Sequence, residues 1–302
     1  MMLPKEISGK TEETMKESQS VFIEVRGLKY HCRTWGQEGA PKIFMLHGFQ
    51  DVSASWQFTV DALKDDWHVI APDWRGYGLS EWTHSDSYWS LDLVADLDAI
   101  LDEFEPDLPA ILVAHSMGAN TASIYSGVVP KRIKKFVNVE GFSGPPSRPE
   151  ETPRRIGKWL QQLVRGEEQR PYDGFEDFAE RMMAENPRLT PERAAFLVQH
   201  WGQQEEDGSV VRRADPAHKF ISPVSLKFEE LRAIWKQVSA PVLWIEGAES
   251  SAAENAARDT ERYEARMSAF QNLAGVERVA DAGHNIHHDQ PEELARLIEG
   301  FV

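Results

Sequence analysis

The stretch Ile111-Leu-Val-Ala-His-Ser-Met-Gly-Ala119 decides how this chain is read. Its first four residues read as a strand buried on both faces, and a helix-like segment runs from Ala119 to Val129. A serine held at such a strand-to-helix turn stands clear of the backbone, beside the free amides of the helix start. Small residues two places before and two after, here Ala114 and Gly118, let the chain turn that sharply. The turn gives Ser116 the exposure and the anion-stabilising surroundings of a nucleophile. The pattern is short, however. A serine ahead of a helix also serves as a plain N-cap, and Ala114 stands where Gly-x-Ser-x-Gly has its first glycine. The rest of the chain carries the decision.

Working outward, short β-like runs alternate with amphipathic helices. Val21–Arg26 and Leu28–Trp35 read as a hairpin around Gly27. Ile43–Leu46, Trp67–Ala71 and Ile133–Val139 read as further strands. Between Ser90 and Phe104 a helical spacing puts Leu91, Val94, Leu97, Leu101 and Phe104 on one face. The alternation resumes with a strand at Pro241–Ile245, a helix over Ala252–Phe270, a strand at Gly275–Ala280 and a helix over Pro291–Val302. Strand–helix alternation predicts an α/β fold with a mostly parallel sheet covered by helices. Residues 143–236 differ. Pro145, Pro146 and Pro149 open this segment, and charged helices follow with Trp159, Phe175, Phe178, Met182, Met183, Phe196 and Trp201. It reads as a helical insertion over the sheet, splitting the core into 21–142 and 237–302, behind a flexible tail at 1–20.

Composition excludes several classes of function. The 302 residues hold 33 basic and 49 acidic side chains, a net charge of −16. Such a surface repels phosphate backbones and anionic lipid, so neither nucleic acid nor a membrane is an expected partner. A hydrophobic share of 41% fits a folded globular protein. The single cysteine, Cys32, forbids an intramolecular disulfide and reads as a small buried residue. Neither a signal-peptide core nor an 18-residue apolar run is present, so a cytoplasmic protein is expected.

Open α/β sheets place their sites at the carboxyl ends of the strands, and the loops expected there carry matching groups. In His47-Gly48-Phe49, glycine lets the backbone approach a substrate, and the Phe49 amide is a candidate oxyanion donor. The Met117 amide is the second. His47 reads as structural. The run Ala282-Gly-His-Asn-Ile-His-His-Asp-Gln-Pro291 offers His284, His287 and His288. Without a carboxylate or cysteine set beside them, no metal site is expected, and His287 and His288 read as packing or surface groups. His284, just after Ala282-Gly283, is the candidate general base, needing a carboxylate on its other nitrogen.

These residues together resemble the α/β-hydrolase superfamily. The matching motifs are His47-Gly48-Phe49, Asp73-Trp-Arg-Gly-Tyr-Gly-Leu-Ser80, Ala-His-Ser116-Met-Gly and Gly283-His284, in the family's order. The resemblance implies an eight-stranded, mostly parallel sheet flanked by helices, with an inserted helical cap between strands six and seven. It makes the Asp73–Gly78 motif a structural turn. One departure concerns the acid. The family usually carries it three residues past a glycine after strand seven, and here that position is Ser250. A minority of the superfamily, including some haloalkane dehalogenases, places a glutamate at the end of strand six instead, where this chain has Glu140. Glu140 is therefore taken as the acid, ahead of Glu249 and then Glu246.

The resemblance also narrows the chemistry. Dehalogenases and epoxide hydrolases of the superfamily attack with aspartate, whereas this chain offers Ser116. Carbon–carbon bond hydrolases use serine within Gly-Asn-Ser-x-Gly-Gly, from which Ala114-His115 and Ala119 depart. The expectation is a carboxylic-ester hydrolase with Ser116, His284 and Glu140 as triad and no cofactor, acting on a small, largely apolar molecule. The alternatives are a lactonase, an amidase, a perhydrolase, a hydroxynitrile lyase or a C–C hydrolase on the same residues, or a hydrolase-fold ligand sensor. Oligomeric state is left open.

Overall fold

The computed structural model describes residues 15–83, 87–143 and 148–302. Its strands are β1 (Ser18–Val25), β2 (Leu28–Trp35), β3 (Lys42–Leu46), β4 (His68–Pro72), β5 (Ala110–His115), β6 (Ile133–Val139), β7 (Gly202–Gln204), β8 (Val210–Arg212), β9 (Val242–Gly247) and β10 (Leu273–Val279). Eight of them form one sheet in the order β1-β2-β4-β3-β5-β6-β9-β10, and β7 and β8 form a separate pair. The hairpin β1–β2 turns through Arg26 and Gly27, both left-handed (φ 49° and 79°), as a tight hairpin turn requires. From β4 to β10 every neighbouring pair is parallel.

Alternation along the strands decides what each face of the sheet packs against. Phe44, Leu46, Leu112, Ala114, Phe136, Val242 and Trp244 point into one core. It is covered by α2 (Ser90–Phe104), α3 (Ser116–Val128), α7 (Phe228–Trp235), α8 (Ser251–Arg258) and α9 (Thr260–Met267). Ile43, Met45, Ile111, Val113, Val137, Val139, Leu243 and Ile245 point the other way. They meet α1 (Gln57–Ala62), α10 (Ile286–Asp289) and α11 (Pro291–Phe301). Fully burying each of the Val, Leu, Ile, Phe and Met side chains contributes about 1.5–3 kcal/mol, so the two faces anchor the sheet on which the loops are mounted.

The segment between β6 and β9 holds α4 (Thr152–Arg165), α5 (Phe175–Glu185) and α6 (Pro191–Trp201), and it also contains the β7–β8 pair. Phe178, Met182, Leu189, Ala194, Leu197, Val198 and Val210 form a cluster of their own there. Polar links tie it to the sheet's carboxyl-end loops: Trp201 Nε1 donates to Ser55 Oγ (2.9 Å), and Arg193 donates to the His288 carbonyl (2.7 Å). By contrast α7 packs on α3, with Trp235 Nε1 3.2 Å from Ser123 Oγ, and shares the main core. No helix among the described residues is long and apolar enough to cross a membrane.

Several boundaries differ from the sequence reading. The first strand starts at Ser18, and Lys16 already binds the Asp61 carboxylate and the Leu63 carbonyl, so the expected tail ends earlier than residue 20. Residues 1–14 of that tail, and Pro145 and Pro146, lie outside the described residues. In α2 the buried face is Leu93, Asp96, Leu97, Ile100 and Leu101, while Leu91 is 53% exposed. Val94, Leu97, Leu101 and Phe104 of the expected face do pack against the core, and the face is widened by Leu93, Ile100 and Asp96, which turns inward to Tyr30 and Arg75. The helix expected over 252–270 breaks at Asp259, whose carboxylate caps α9 through the Arg262 amide.

Candidate active site

The turn at Ser116 is built by what surrounds it. β5 ends at His115 and α3 begins at Ser116, whose φ of 50° lies in the left-handed region unusual for a side-chain-bearing residue. A Cβ on Gly118 would stand 2.6 Å from the carbonyl oxygens of Leu46 and His47. One on Gly48 would stand 2.8 Å from His115 Nδ1 and 3.2 Å from Ser116 Cβ. These two glycines let α3 start directly against the end of β3. Ala114 meets no such demand: it is an ordinary strand residue packed in the core, which explains why alanine replaces glycine there.

The register of the sheet brings the partners of Ser116 to it. β3 and β5 pair Leu46 with Ala114, which sets His47-Gly48 beside His115-Ser116. β6 and β9 pair Val139 with Ile245, which sets Glu140 beside Glu246-Gly247. A Cβ on Gly247 would meet the Gly283 carbonyl oxygen at 2.2 Å, so the end of β9 and the loop after β10 pack backbone to backbone. That loop delivers His284. Its Nε2 is 2.9 Å from Ser116 Oγ and its Nδ1 is 2.9 Å from Glu140 Oε2. The three residues expected from the sequence therefore form one continuous hydrogen-bonded chain.

Glu140 is fully enclosed and also left-handed, at φ 61°. Its Oε1 accepts the Gly247 amide at 2.7 Å, and its Oε2 accepts the Ser250 hydroxyl at 2.5 Å besides facing His284. Each buried oxygen thus has a donor, which such a group requires. The other two carboxylates are engaged elsewhere. Glu249 is exposed and bound to Arg188, and Glu246 accepts from Tyr263 at 2.6 Å and pairs with Arg278 at 3.2 Å. Ser250 was noted in the sequence only as the residue that displaces the usual acid. It supports the acid that replaces it, and also caps α8 through the Ala253 amide.

The remaining motif residues are scaffolding. His47 is buried, accepts the Trp74 amide at Nε2 (2.9 Å) and donates from Nδ1 to the Gly48 carbonyl (2.8 Å). Burial lowers its pKa. Asp73 accepts the Ser53 and Leu79 amides and lies 2.7 Å from His31 Nδ1. Burial opposes its ionisation, but the His31 contact and these donors hold its carboxyl down at about 2. Arg75 forks onto Asp96 with two 2.5 Å bonds. His115, which the sequence reading passed over, donates from Nε2 to the His284 carbonyl at 2.8 Å and so fixes the loop that presents the base.

Met117 stands in the first turn of α3, where amides lack helical acceptors, and Phe49 follows the Gly48 that packs on Ser116. Ser116 and Phe49 line two cavities at once. One, of about 730 Å³, is rich in charge, with Glu167, Glu168, Arg170, Glu185, Arg212 and Lys219 in its wall, and it includes His284. The other, of about 470 Å³, is mainly apolar, with Trp89, Leu93, Ile124, Val224, Leu226 and Leu231. Behind the first, His287 and His288 are buried, and Asp51 from the loop after β3 lies 3.2 Å from His287. Of the two expected readings, packing holds and surface does not, and the expectation that these histidines lack a carboxylate fails. Asp51 is distant in sequence and was not counted with them.

A family model described as the alpha/beta hydrolase fold matches residues 41–291. A serine hydrolase-like protein of Danio rerio is 23% identical over 97% of this chain and 91% of its own length. Epoxide hydrolase A of Mycobacterium tuberculosis is 35% identical over a shorter stretch, 32% of this chain and 31% of that protein. Among solved structures, a thioesterase domain from the curacin biosynthetic pathway matches with a TM-score of 0.82 at 25% identity, covering 94% of this chain and 99% of that one.

Proposed function

Since the chain belongs to the α/β-hydrolase-fold family, we propose that it is a cofactor-independent serine hydrolase acting on carboxylic esters through an acyl-enzyme on Ser116. The observation that carries this reading is the Ser116–His284–Glu140 chain, with 2.9 Å at both contacts of the imidazole, opening on a cavity. Ser116 Oγ attacks the ester carbonyl while His284 Nε2 takes its proton. Glu140 holds the imidazole by Nδ1 and stabilises the imidazolium that forms. The Phe49 and Met117 amides receive the developing oxyanion. Collapse of the tetrahedral intermediate expels the alcohol, which takes the proton from His284. Water activated by the same imidazole then splits the acyl-enzyme.

The cavities favour an amphiphilic substrate over a wholly apolar one. The apolar group lies along Leu93, Ile124 and Leu231, and the polar group faces Arg170 and Arg212, with the carbonyl where both cavities meet at Ser116. Residues 143–236 act as the cap, which supplies most of the charged cavity's wall and part of the apolar cavity's. The partial likeness to an epoxide hydrolase does not extend to the nucleophile, since that chemistry attacks with aspartate where this chain has Ser116. Likeness to a thioesterase domain makes thioesters natural test substrates beside oxygen esters.

The test is hydrolysis of short p-nitrophenyl esters and the matching thioesters by wild type, Ser116→Ala and His284→Ala, each checked for folding. Turnover in the wild type that both substitutions abolish supports the reading. A wild type inert to every ester and to a fluorophosphonate would leave a ligand-binding role instead.

A further inference from the structure

We propose that Asp51, His287 and His288 form a binding site for one divalent transition-metal ion of the zinc type, clamping the loop after β3 to the helix that follows His284. Among the described residues, this is the one group of three His, Cys, Asp or Glu side chains whose ligand atoms all lie within 4.8 Å of one another. All three residues are buried, which separates them from the acidic clusters common on protein surfaces.

The donor set fits the ion. Two imidazoles and a carboxylate, with a fourth position open to water, suit Zn²⁺ and its neighbours. Metal–ligand bonds of about 2.0–2.1 Å in a tetrahedron separate ligand atoms by about 3.3 Å. Asp51 Oδ2 and His287 Nε2 are already 3.2 Å apart, so only the His288 side has to close. Asp51 is held in place by its other oxygen, which accepts the Val52 amide at 2.7 Å and the Ser55 hydroxyl. Such outer hydrogen bonds orient a ligand.

A further observation favours an ion over a plain hydrogen-bonded cluster. His288 Nε2 is buried without a hydrogen-bond partner, and an orphaned buried nitrogen costs free energy unless something occupies its lone pair. Bound through Nε2, His287 would exchange the hydrogen bond that this atom makes to Asp51 for the metal and would carry its proton on Nδ1. Asp51 also lines the 730 Å³ cavity, which gives an entry path. The role is that of a clamp: no step of ester hydrolysis passes through the ion.

The test uses the full chain as Ser116→Ala, stripped with a chelator, so that its outcome is independent of catalysis. Titration with Zn²⁺ by calorimetry, and with Co²⁺ by its visible absorption, is expected to give one equivalent per chain. A saturating excess of Zn²⁺ is expected to raise Tm by about 5 °C. Asp51→Asn and His288→Gln, each checked for folding by circular dichroism, are expected to weaken binding at least tenfold. The proposal is overturned if Ser116→Ala takes up no stoichiometric metal at micromolar concentration. It is equally overturned if folded Asp51→Asn and His288→Gln bind Zn²⁺ as tightly as the parent.

Discussion

Ser250 Oγ lies 2.5 Å from Glu140 Oε2, the oxygen that also faces His284 Nδ1. The residue standing where relatives of this fold usually carry their acid thus donates to an acid supplied by the neighbouring strand. The parallel register of β6 and β9, with Val139 beside Ile245, brings Glu140 next to the loop that carries Ser250. Of the carboxylates on the two strand ends only Glu140 meets the imidazole, since Glu246 is held by Tyr263 and Arg278.

If Glu140 orients the base, Glu140→Gln should lower kcat by about 10³–10⁴-fold, the scale seen when a triad loses its charged acid. Glu249→Gln, which removes an exposed partner of Arg188, should stay within about twofold of wild type, as exposed ion pairs contribute little. Steady-state ester hydrolysis measures both. The opposite ranking would move the acid to the end of β9.

Ser250→Ala should lower kcat by roughly tenfold with KM unchanged, since one hydrogen bond to a charged group is lost without touching substrate. Ser250→Thr, which keeps the hydroxyl, should recover most of the rate. A loss that Thr does not rescue, or one confined to KM, would make Ser250 a helix cap only.

Asp73 gives a stability prediction with a definite pH window. Its folded-state carboxyl titrates at about 2, against an ordinary value of 3.8. A depressed carboxyl stabilises the fold in its ionised form, so the contribution is complete above about pH 4–5 and disappears as pH falls through 2. It amounts to about 2 kcal/mol. Asp73→Asn should therefore cost about that much at pH 7, and the two unfolding free energies should converge near pH 2. Urea titrations across pH 2–7 would show it; a gap independent of pH would place the cost in packing.

In the apolar cavity, Leu226 is half-buried and lines the wall. Leu226→Trp should fill part of the 470 Å³ and lower the butyrate-to-acetate ratio of kcat/KM for p-nitrophenyl esters by about tenfold, a change of about 1.4 kcal/mol. An unchanged ratio would assign the acyl group to the charged cavity instead.

The alternating apolar runs and the order of the loop motifs made the sheet, its flanking helices and the nearness of Ser116 and His284 readable from the sequence, while Glu140 came only from the resemblance to a minority pattern of the superfamily. What stayed hidden depends on pairings between distant residues. Asp51 reaches His287 across 236 positions, and no local pattern in His287-His288 calls for it. Ser250 showed in the sequence as a missing acid, because its hydroxyl gains meaning only beside Glu140. In α2 the exposed Leu91 and the buried Asp96 escape the apolar spacing, and only the partners Tyr30 and Arg75 explain why Asp96 faces inward. The break between α8 and α9 rests on a cap at Asp259 that the continuous helical spacing concealed.

The most direct test of the account is covalent labelling with a fluorophosphonate, read by intact mass and by peptide mapping. The account predicts one adduct per chain, on Ser116, absent in Ser116→Ala and formed far more slowly in His284→Ala and Glu140→Gln. A wild-type chain that stays unlabelled, or that carries the adduct on another residue, would contradict it.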